Sequence, residues 1–511
     1  MRRKLWLIPA ILSVAIAGTA YVAEATTNET GSAAGAKPNI VFVLTDDLSK
    51  NLVEHMSAVR AMRRDGTSFA NYYVADGLCC PSRSTILTGR FPHNTGVTTN
   101  KNEQPGGGYR AFVKHGNQKR TYAVSLDKAG YRTGFFGKFL NGYDIDKHPV
   151  PPGWDEWTVA SNGYSEIAGS YQITNVHHKG AGKHITKPDK YLTDYLGGAA
   201  RAFTDRARRK HQPFFLQLST FAPHSGVSRS KTEPRFPPAP RDRPGHEIAH
   251  GDCGVIDGKR VDCDTLHVER GTGLSEATYR ELDRDLRNRV RMVQSVNDQM
   301  IALRKHLAAT GQLANTYFVF SSDNGFHLGE HGLLRGKGTA YDHDTNVPLV
   351  VTGPGVKRGQ LRFVLTQNTD LYPTFLRMAH LEPAKRDGRS LLRLLGDDLP
   401  GPWRDAVLYE HQGREGPSVA GFDPDKDGDA AAGRRFLASA HTYQAVRTKD
   451  WLYVEYANGR HELYHLTRDP DQNRNVYRSH RKVADRLHRW LVKLHSCGKP
   501  SKPSCWSVAN R

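Results

Sequence analysis

Four apolar runs in this chain end in side chains that can do chemistry. "NIVFVLT" runs into Asp46-Asp47, "RTGFFG" into Lys138, "PFFLQLS" leads to His224, and "TYFVFSS" ends in Asp323-Asn324. Ligands of parallel α/β sheets bind beyond the carboxyl ends of the strands, so these four stretches would converge on one edge. Each alone reads equally well as a helix cap or a turn residue. Four together specify a site. Asp46, Asp47, Asp323 and Asn324 offer only oxygen donors, which suits a hard cation, calcium or magnesium, better than zinc. Arg83, Lys138, Lys337, His224 and His327 surround them in the reading. Carboxylates holding a divalent cation, ringed by cationic donors, describe a site for a sulfate or phosphate ester.

Such a site needs a nucleophile, and "CCPSRSTILTGR" is the place to look for it. The chain has only six cysteines. Cys253/Cys263 and Cys497/Cys505 are short-range pairs that read as disulfide loops in an exported protein. Cys79 and Cys80 remain. Adjacent cysteines rarely bond to each other, and no further Cys or His stands nearby at zinc-finger spacing. The stretch resembles the signature of type I sulfatases, Cys-x-Pro-Ser-Arg followed by Leu-Thr-Gly, with Cys79 as the key residue and Cys80 as the variable one. "KPNIVFVLTDDL", "GKFLNGY", "FAPHSG", "SSDNGFHLGEHG", "GKGTAYDHDTNVPLVVTGPGV" and "HELYHLTRDPDQNRN" look like segments of the same family in the same order, over most of residues 37–476.

The resemblance implies that a dedicated formylglycine-generating enzyme oxidises Cys79 to formylglycine, whose hydrate attacks sulfur with one hydroxyl and expels sulfate with the other. It implies calcium, with magnesium as the alternative, on Asp46, Asp47, Asp323, Asn324 and the modified Cys79. Arg83 would stabilise the hydrated aldehyde; Lys138, His224 and Lys337 would hold the sulfate and assist the leaving oxygen. One departure stands out. Many arylsulfatases carry Gly-Lys-x-His where this chain has "GKFLN", and Leu140 cannot exchange a proton. That variant looks more like the branch of N-acetylglucosamine-6-sulfatases and heparan 6-O-sulfatases, and it moves the base of the elimination step to His327 or His331, with His327 preferred. The expected substrate is a 6-O-sulfated amino sugar of a sulfated glycan. The rivals are a broad arylsulfatase, a phosphodiesterase or phosphonate hydrolase of the same fold, and a non-catalytic polyanion-binding protein.

The elements that must position these residues read as an α/β fold, alkaline-phosphatase-like, with a mostly parallel sheet sandwiched by helices. Residues 39–45, 131–137, 213–219, 316–322 and 347–353 are strand-like apolar runs. A helix is predicted over 52–62 with Gly66 at its end, and another over 290–307. After residue 400 the pattern alternates like antiparallel strands, Asn458-Gly459 signals a hairpin, and "KVADRLHRWLVKL" is a basic amphipathic helix. The predicted organisation is a signal peptide at 1–25, a leader at 26–37, a catalytic domain at 38–400 and a smaller α+β domain at 401–511. Loops 162–187 and 225–264 are expected to wall the pocket.

"MRRK", an apolar run and Ala23-Glu24-Ala25 form the export signal, so the protein is expected to be secreted without stable membrane association. Arg2-Arg3 leaves Sec and twin-arginine routes both open. Cleavage removes Arg2, Arg3, Lys4 and Glu24, taking the formal charge from +20 to +18. That surplus attracts polyanions. No basic block is interleaved with aromatics, which argues against a nucleic-acid partner. Residues 423–429, "DPDKDGD", begin like a calcium loop, but Arg434 stands where the closing Glu belongs. "NET" at 28–30 fits a glycosylation acceptor in the leader.

Overall fold

Asn39–Thr45 is a strand whose five central residues, Ile40 to Leu44, are all at most 1 % exposed. Successive side chains of a strand face opposite ways. Ile40, Phe42 and Leu44 enter one core with Tyr122, Phe215 and Phe375. Val41 and Val43 enter the other with Leu216, Val293 and Phe318. Each such side chain contributes roughly 2 kcal/mol by burial, and a continuous apolar run is what a strand covered on both faces requires.

The computed structural model describes residues 37–161, 166, 171–177, 181–186, 188–226, 234–239, 252–256, 259–397, 401–413, 441–499 and 502–510. The export signal, the leader up to residue 36, the acidic stretch 423–429, and most of 162–170 and 227–251 lie outside them. Among the described residues ten strands form the main sheet, in the order Gln360–Arg362, Thr67–Phe69, Leu349–Thr352, Thr316–Ser322, Asn39–Thr45, Phe214–Ser219, Arg132–Gly137, Glu156–Ser161, Gln172–His177, Ala181–Thr186. The five from Thr316–Ser322 to Glu156–Ser161 run parallel. The next strands on both flanks are antiparallel. Leu349–Thr352, within the predicted run 347–353, is thus a core strand that runs the opposite way.

Helices cover both faces. Ser57–Asp65, Leu192–Arg209 and Glu276–Ala309 bury Val59, Leu196 and Val293 in one core. Cys79–Thr88, Tyr122–Lys128 and Leu371–Met378 bury Ile86, Leu126 and Phe375 in the other. The helix predicted over 290–307 begins 14 residues earlier, capped by Ser275, whose hydroxyl accepts the Thr278 N–H. Its charged opening stretch, "EATYRELDRDLRNR", carries only Tyr279 and Leu282 as fully buried apolar residues, too few to mark a face. The predicted 52–62 helix is split into a 3-10 turn at Lys50–His55 and an α-helix at Ser57–Asp65. Gly66 does end it, but in an extended conformation with φ −154°. The glycine is needed for close approach: a Cβ there would stand 2.1 Å from the Val351 carbonyl oxygen.

The separate C-terminal sheet is antiparallel, in the order Val407–His411, Tyr443–Arg447, Trp451–Tyr456, His461–His465. The signalled turn joins its last two strands, with Gly459 at φ +82°. One face, with Leu408, Val446, Tyr453 and Leu463, packs on the helix Arg481–His495 through Leu487, Trp490 and Leu491. The other, with Val407, Tyr409, Ala445 and Val454, shares a core with Tyr73, Leu333 and Tyr341. Both expected disulfides, Cys253–Cys263 and Cys497–Cys505, are present, and Cys79 and Cys80 are buried thiols outside them. Among the described residues no helix is long and apolar enough to cross a membrane.

Candidate active site

The strands that lead to Asp46, Lys138, His224 and Asp323 are four adjacent members of the parallel set. Backbone bonds continue past the last strand residues: Asp323 donates its N–H to the Thr45 carbonyl at 3.1 Å, Thr220 to Leu44 at 3.0 Å, and Lys138 to Ser219 at 2.8 Å. The side chains therefore leave from a rigid edge. Asp47 departs from extended geometry, at φ +62°, a left-handed conformation that Asp tolerates better than most residues. Two consecutive carboxylates can then turn toward one point, which a continuing strand would forbid.

Cys79 opens the wholly buried helix Cys79–Thr88. Its thiol meets Lys337 Nζ at 2.8 Å, Asp46 Oδ1 at 3.4 Å and Asp47 Oδ1 at 3.9 Å. A helix N-terminus favours negative charge through its free N–H groups and dipole. Cys80 faces another fate. Burial pushes its thiol up to about 12, so it stays protonated, and its N–H donates to Asn100 Oδ1 at 2.9 Å.

The remaining predicted residues close around this thiol. Arg83 donates Nε–H to Asp323 Oδ2 at 2.7 Å, and a second nitrogen to the Lys138 carbonyl and Ser219 Oγ. Lys138 forms an ion pair with Asp46, and Lys337 one of 2.7 Å with Asp47. Asn324 donates to Asp47 Oδ1 at 2.6 Å. His224 lies with Nε2 3.6 Å from Asp47 Oδ2 while Nδ1 meets the Ser225 carbonyl at 2.7 Å. Burial opposes the charge on Asp46, but Lys138, His224 and Arg83 outweigh it and hold its carboxyl below the usual range. His224 is raised for the mirror reason: Asp47 and Asp46 overcome the burial that opposes its charge. Asp323 goes the other way, raised by burial that Arg83 only partly offsets.

The donor chemistry suits a metal. Ligand-capable atoms of Asp46, Asp47, Cys79 and His224 all lie within 4.8 Å of one another. Asn324 Oδ1 is a buried acceptor with no hydrogen-bond partner among the described residues, while Asp46 Oδ2 and Asp47 Oδ2 face only the cationic groups of Lys138, Arg83 and His224. Buried carboxylate and amide oxygens gathered at one point are what a hard cation would bind. Asp46, Asp47 and Asp323 are balanced by Arg83, Lys138 and Lys337, so an added divalent cation leaves the site net positive, as an oxyanion requires.

His327 stands apart from these contacts. Its Nδ1 is 3.0 Å from Asp344 Oδ1, and Thr339 holds the same carboxylate through its N–H at 2.8 Å and its hydroxyl. Burial pushes His331 down to about 4, and its ring stacks on Tyr341 at 3.8 Å. Three supporting residues escape a sequence reading. Arg289, 0 % exposed, donates to the Asp47 carbonyl and lies 4.1 Å over the Phe326 ring. Glu166 accepts the N–H groups of Thr193 and Ala222, bracing the turn into His224; burial raises its carboxyl to about 7. Asp344 orients His327. The last stood inside a family-like segment without a role; Arg289 sits among charges that look solvated, and only its burial reveals it.

The Sulfatase family model matches residues 38–381. Human N-acetylglucosamine-6-sulfatase is 32% identical over 496 residues, 92% of this chain and 87% of that protein. The extracellular sulfatase SULF-1 homolog of Drosophila melanogaster is 30% identical over 408 residues, 77% of this chain but 35% of that longer protein. A solved structure of a protein in complex with its substrate D-glucosamine-2-N,6-O-disulfate shares the fold, with TM-score 0.65 and 23% identity over 90% of this chain and 97% of that one.

Proposed function

The chain belongs to the sulfatase family and is a sulfuric ester hydrolase; from that premise we propose that it is exported and removes 6-O-sulfate from an amino sugar of a sulfated glycan, using formylglycine made from Cys79. The observation that carries this is the placing of the Cys79 side chain. It lies between the Lys337 ammonium and the Asp46 and Asp47 carboxylates, at the carboxyl edge of four parallel strands. The likeness to N-acetylglucosamine-6-sulfatase over nearly the whole chain supports the amino sugar.

Calcium on Asp46, Asp47, Asp323 and Asn324 would supply Lewis-acid polarisation of a sulfate oxygen. Arg83, tied to Asp323, holds the first turns of the helix Cys79–Thr88 against that carboxylate. Lys337 stabilises charge on the oxygen that replaces the thiol, and Lys138 binds a sulfate oxygen. His224 donates Nδ1–H to the Ser225 carbonyl, and as the imidazolium that Asp47 and Asp46 favour against burial it carries a second proton on Nε2, which it would give to the leaving oxygen as general acid. His327, oriented by Asp344, is the base we assign to elimination. His331, depressed to about 4, is too weakly basic to take a proton efficiently near neutral pH.

The test pairs two measurements. A tryptic mass spectrum should show the Cys79 peptide as formylglycine, and sulfate release should be faster from N-acetylglucosamine 6-sulfate than phosphate release from the matching phosphate ester. An unmodified Cys79 in fully active protein would overturn the nucleophile, and preferential phosphate release would overturn the substrate.

A further inference from the structure

The helix Cys79–Thr88 has a second end. Its ten residues span about 15 Å, and just beyond them Arg90 borders a cavity of about 390 Å³. Arg90, Arg120, Lys385, Arg386, Lys499 and Lys502 contribute to its walls; Asp387 is the single acidic residue among those lining it. That carboxylate is already engaged, accepting the Phe91 N–H at 2.8 Å and the Asn94 amide at 2.9 Å. Six cations against one carboxylate leave the lining net positive.

The walls are built, not merely decorated with exposed charge. Arg386 lies 4.6 Å over the Tyr372 ring and donates to the Tyr372 hydroxyl at 3.2 Å and to the Lys385 carbonyl at 3.0 Å. Its Nε is buried and takes no hydrogen-bond partner among the described residues. Arg90 is half-buried: burial lowers its guanidinium below the usual range, Asp387 opposes that shift, and Arg120 and Arg386 add to it. Lys499 and Lys502 ride on the loop closed by Cys497–Cys505. That loop comes so close that a Cβ on Gly498, at φ +71°, would stand 2.6 Å from Asn94 Nδ2 and 2.8 Å from Asp387 Oδ1.

We propose that this cavity is an accessory site that binds sulfate groups of a glycan chain, distinct from the Cys79 centre. The choice of a glycan rests on the function proposed above. Its volume falls in the range of roughly 300–1,000 Å³ that takes small organic ligands, larger than one inorganic anion needs. Arginine forks and lysine point charges are the donors that recognise sulfate and phosphate oxygens alike. No aromatic ring lines the cavity among the described residues, so a single-stranded nucleic acid would find nothing to stack on.

The test is a binding measurement in a Cys79→Ala background, which separates it from any failure of the catalytic reading. Lys385→Gln/Lys499→Gln/Lys502→Gln is compared with a control of equal charge loss, Arg208→Gln/Arg209→Gln/Lys210→Gln, at exposed positions ending another helix. With a heparin octasaccharide as probe, the cavity variant should bind about tenfold more weakly and with a shallower salt dependence, and the control less than about twofold. In the active protein, the cavity variant should lower kcat/KM for the octasaccharide and leave a chromogenic aryl sulfate unchanged. Equal losses in both triple variants, or none in the cavity variant, would overturn the site. An oligonucleotide of matched charge that binds the cavity as tightly as the octasaccharide would overturn its assignment to glycans.

Discussion

Lys337 and Cys79 are separated by 258 positions in the chain, and their side chains meet at 2.8 Å with no exposure to solvent for the thiol and 1 % for the lysine. The same ammonium reaches Asp47 Oδ1 at 2.7 Å. One cation thus ties the residue proposed as nucleophile to a proposed metal ligand. Lys337→Ala should lower kcat/KM on an aryl sulfate by about 10²–10³-fold, the usual cost of removing a preorganised charge donor. Lys337→Arg should not restore it, because a planar fork does not fit a place built for a compact ammonium. Steady-state kinetics alongside thermal melts would separate lost catalysis from lost folding.

Cys79 and Cys80 should behave as different kinds of residue. Cys79→Ala should abolish turnover. Cys80→Ser should keep most activity, because that position is a buried, protonated thiol packed against the core and a serine nearly matches its size. The expected price is about 1–2 kcal/mol of stability from burying a hydroxyl. A loss of activity confined to Cys80→Ser, at unchanged melting temperature, would contradict the assignment.

The oxygen-rich ligand set predicts a metal preference. Asp46→Asn and Asp323→Asn should each reduce bound calcium, measured by elemental analysis, and reduce activity with it. Chelation followed by calcium or magnesium should restore the unsubstituted protein better than zinc. Recovery by zinc alone would show that Cys79 and His224, not the carboxylates, dominate the site.

Arg289 should matter without touching substrate. It donates to the carbonyl of Asp47, a residue held at φ +62°, while lying over Phe326. Arg289→Met keeps the apolar volume and removes the donor. It should weaken calcium binding and lower kcat, with addition of excess calcium recovering part of the loss. A purely structural residue would lower the melting temperature without any calcium-dependent recovery.

A second buried cluster, made of groups outside the active site, should set part of the pH dependence of stability. Glu410 accepts from His93 Nδ1 at 2.8 Å and from His495 Nδ1 at 2.6 Å, joining the C-terminal sheet, the C-terminal helix and the segment after Cys79–Thr88. Burial opposes the charge on Glu410, but His93 and His495 hold its carboxyl down to about 2 from an ordinary 4.5. Its contribution, about 3 kcal/mol at most, is present above pH 4.5 and lost as pH falls toward 2. His93 is raised above 6.5 by Glu410, with a smaller part from Asp387, against the burial that lowers it. Its contribution is full below pH 6.5 and lost as pH rises through the raised value. The cluster therefore favours folding most between about pH 4.5 and 6.5. Glu410→Gln should flatten the melting temperature across both limbs; an unchanged profile would refute the linkage.

Much of this site was legible in the chain because its parts are local. A strand covered on both faces must be an apolar run, so "NIVFVLT" and its relatives announce themselves, and the residues that follow them in sequence follow them in space. Asp46, Asp47, Asp323 and Asn324 could be singled out for that reason, Cys79 by the resemblance of its segment to the sulfatase signature, and oxygen donors imply a hard cation wherever they meet. The two disulfides were visible as short-range pairs. What needed the tertiary structure depends on pairings that no local period encodes. The direction of Leu349–Thr352 is set by its neighbour in the sheet. The meeting of Lys337 with Cys79 is set by how distant segments pack. Arg289 stands among Arg284, Arg287 and Arg291 on a helix whose charges mostly look solvated; only the packing of Phe236 and Phe326 around it makes it a buried donor. The cavity beside Arg90 draws its cations from four separate stretches of chain, each an ordinary surface charge until the folded backbone brings them to one place.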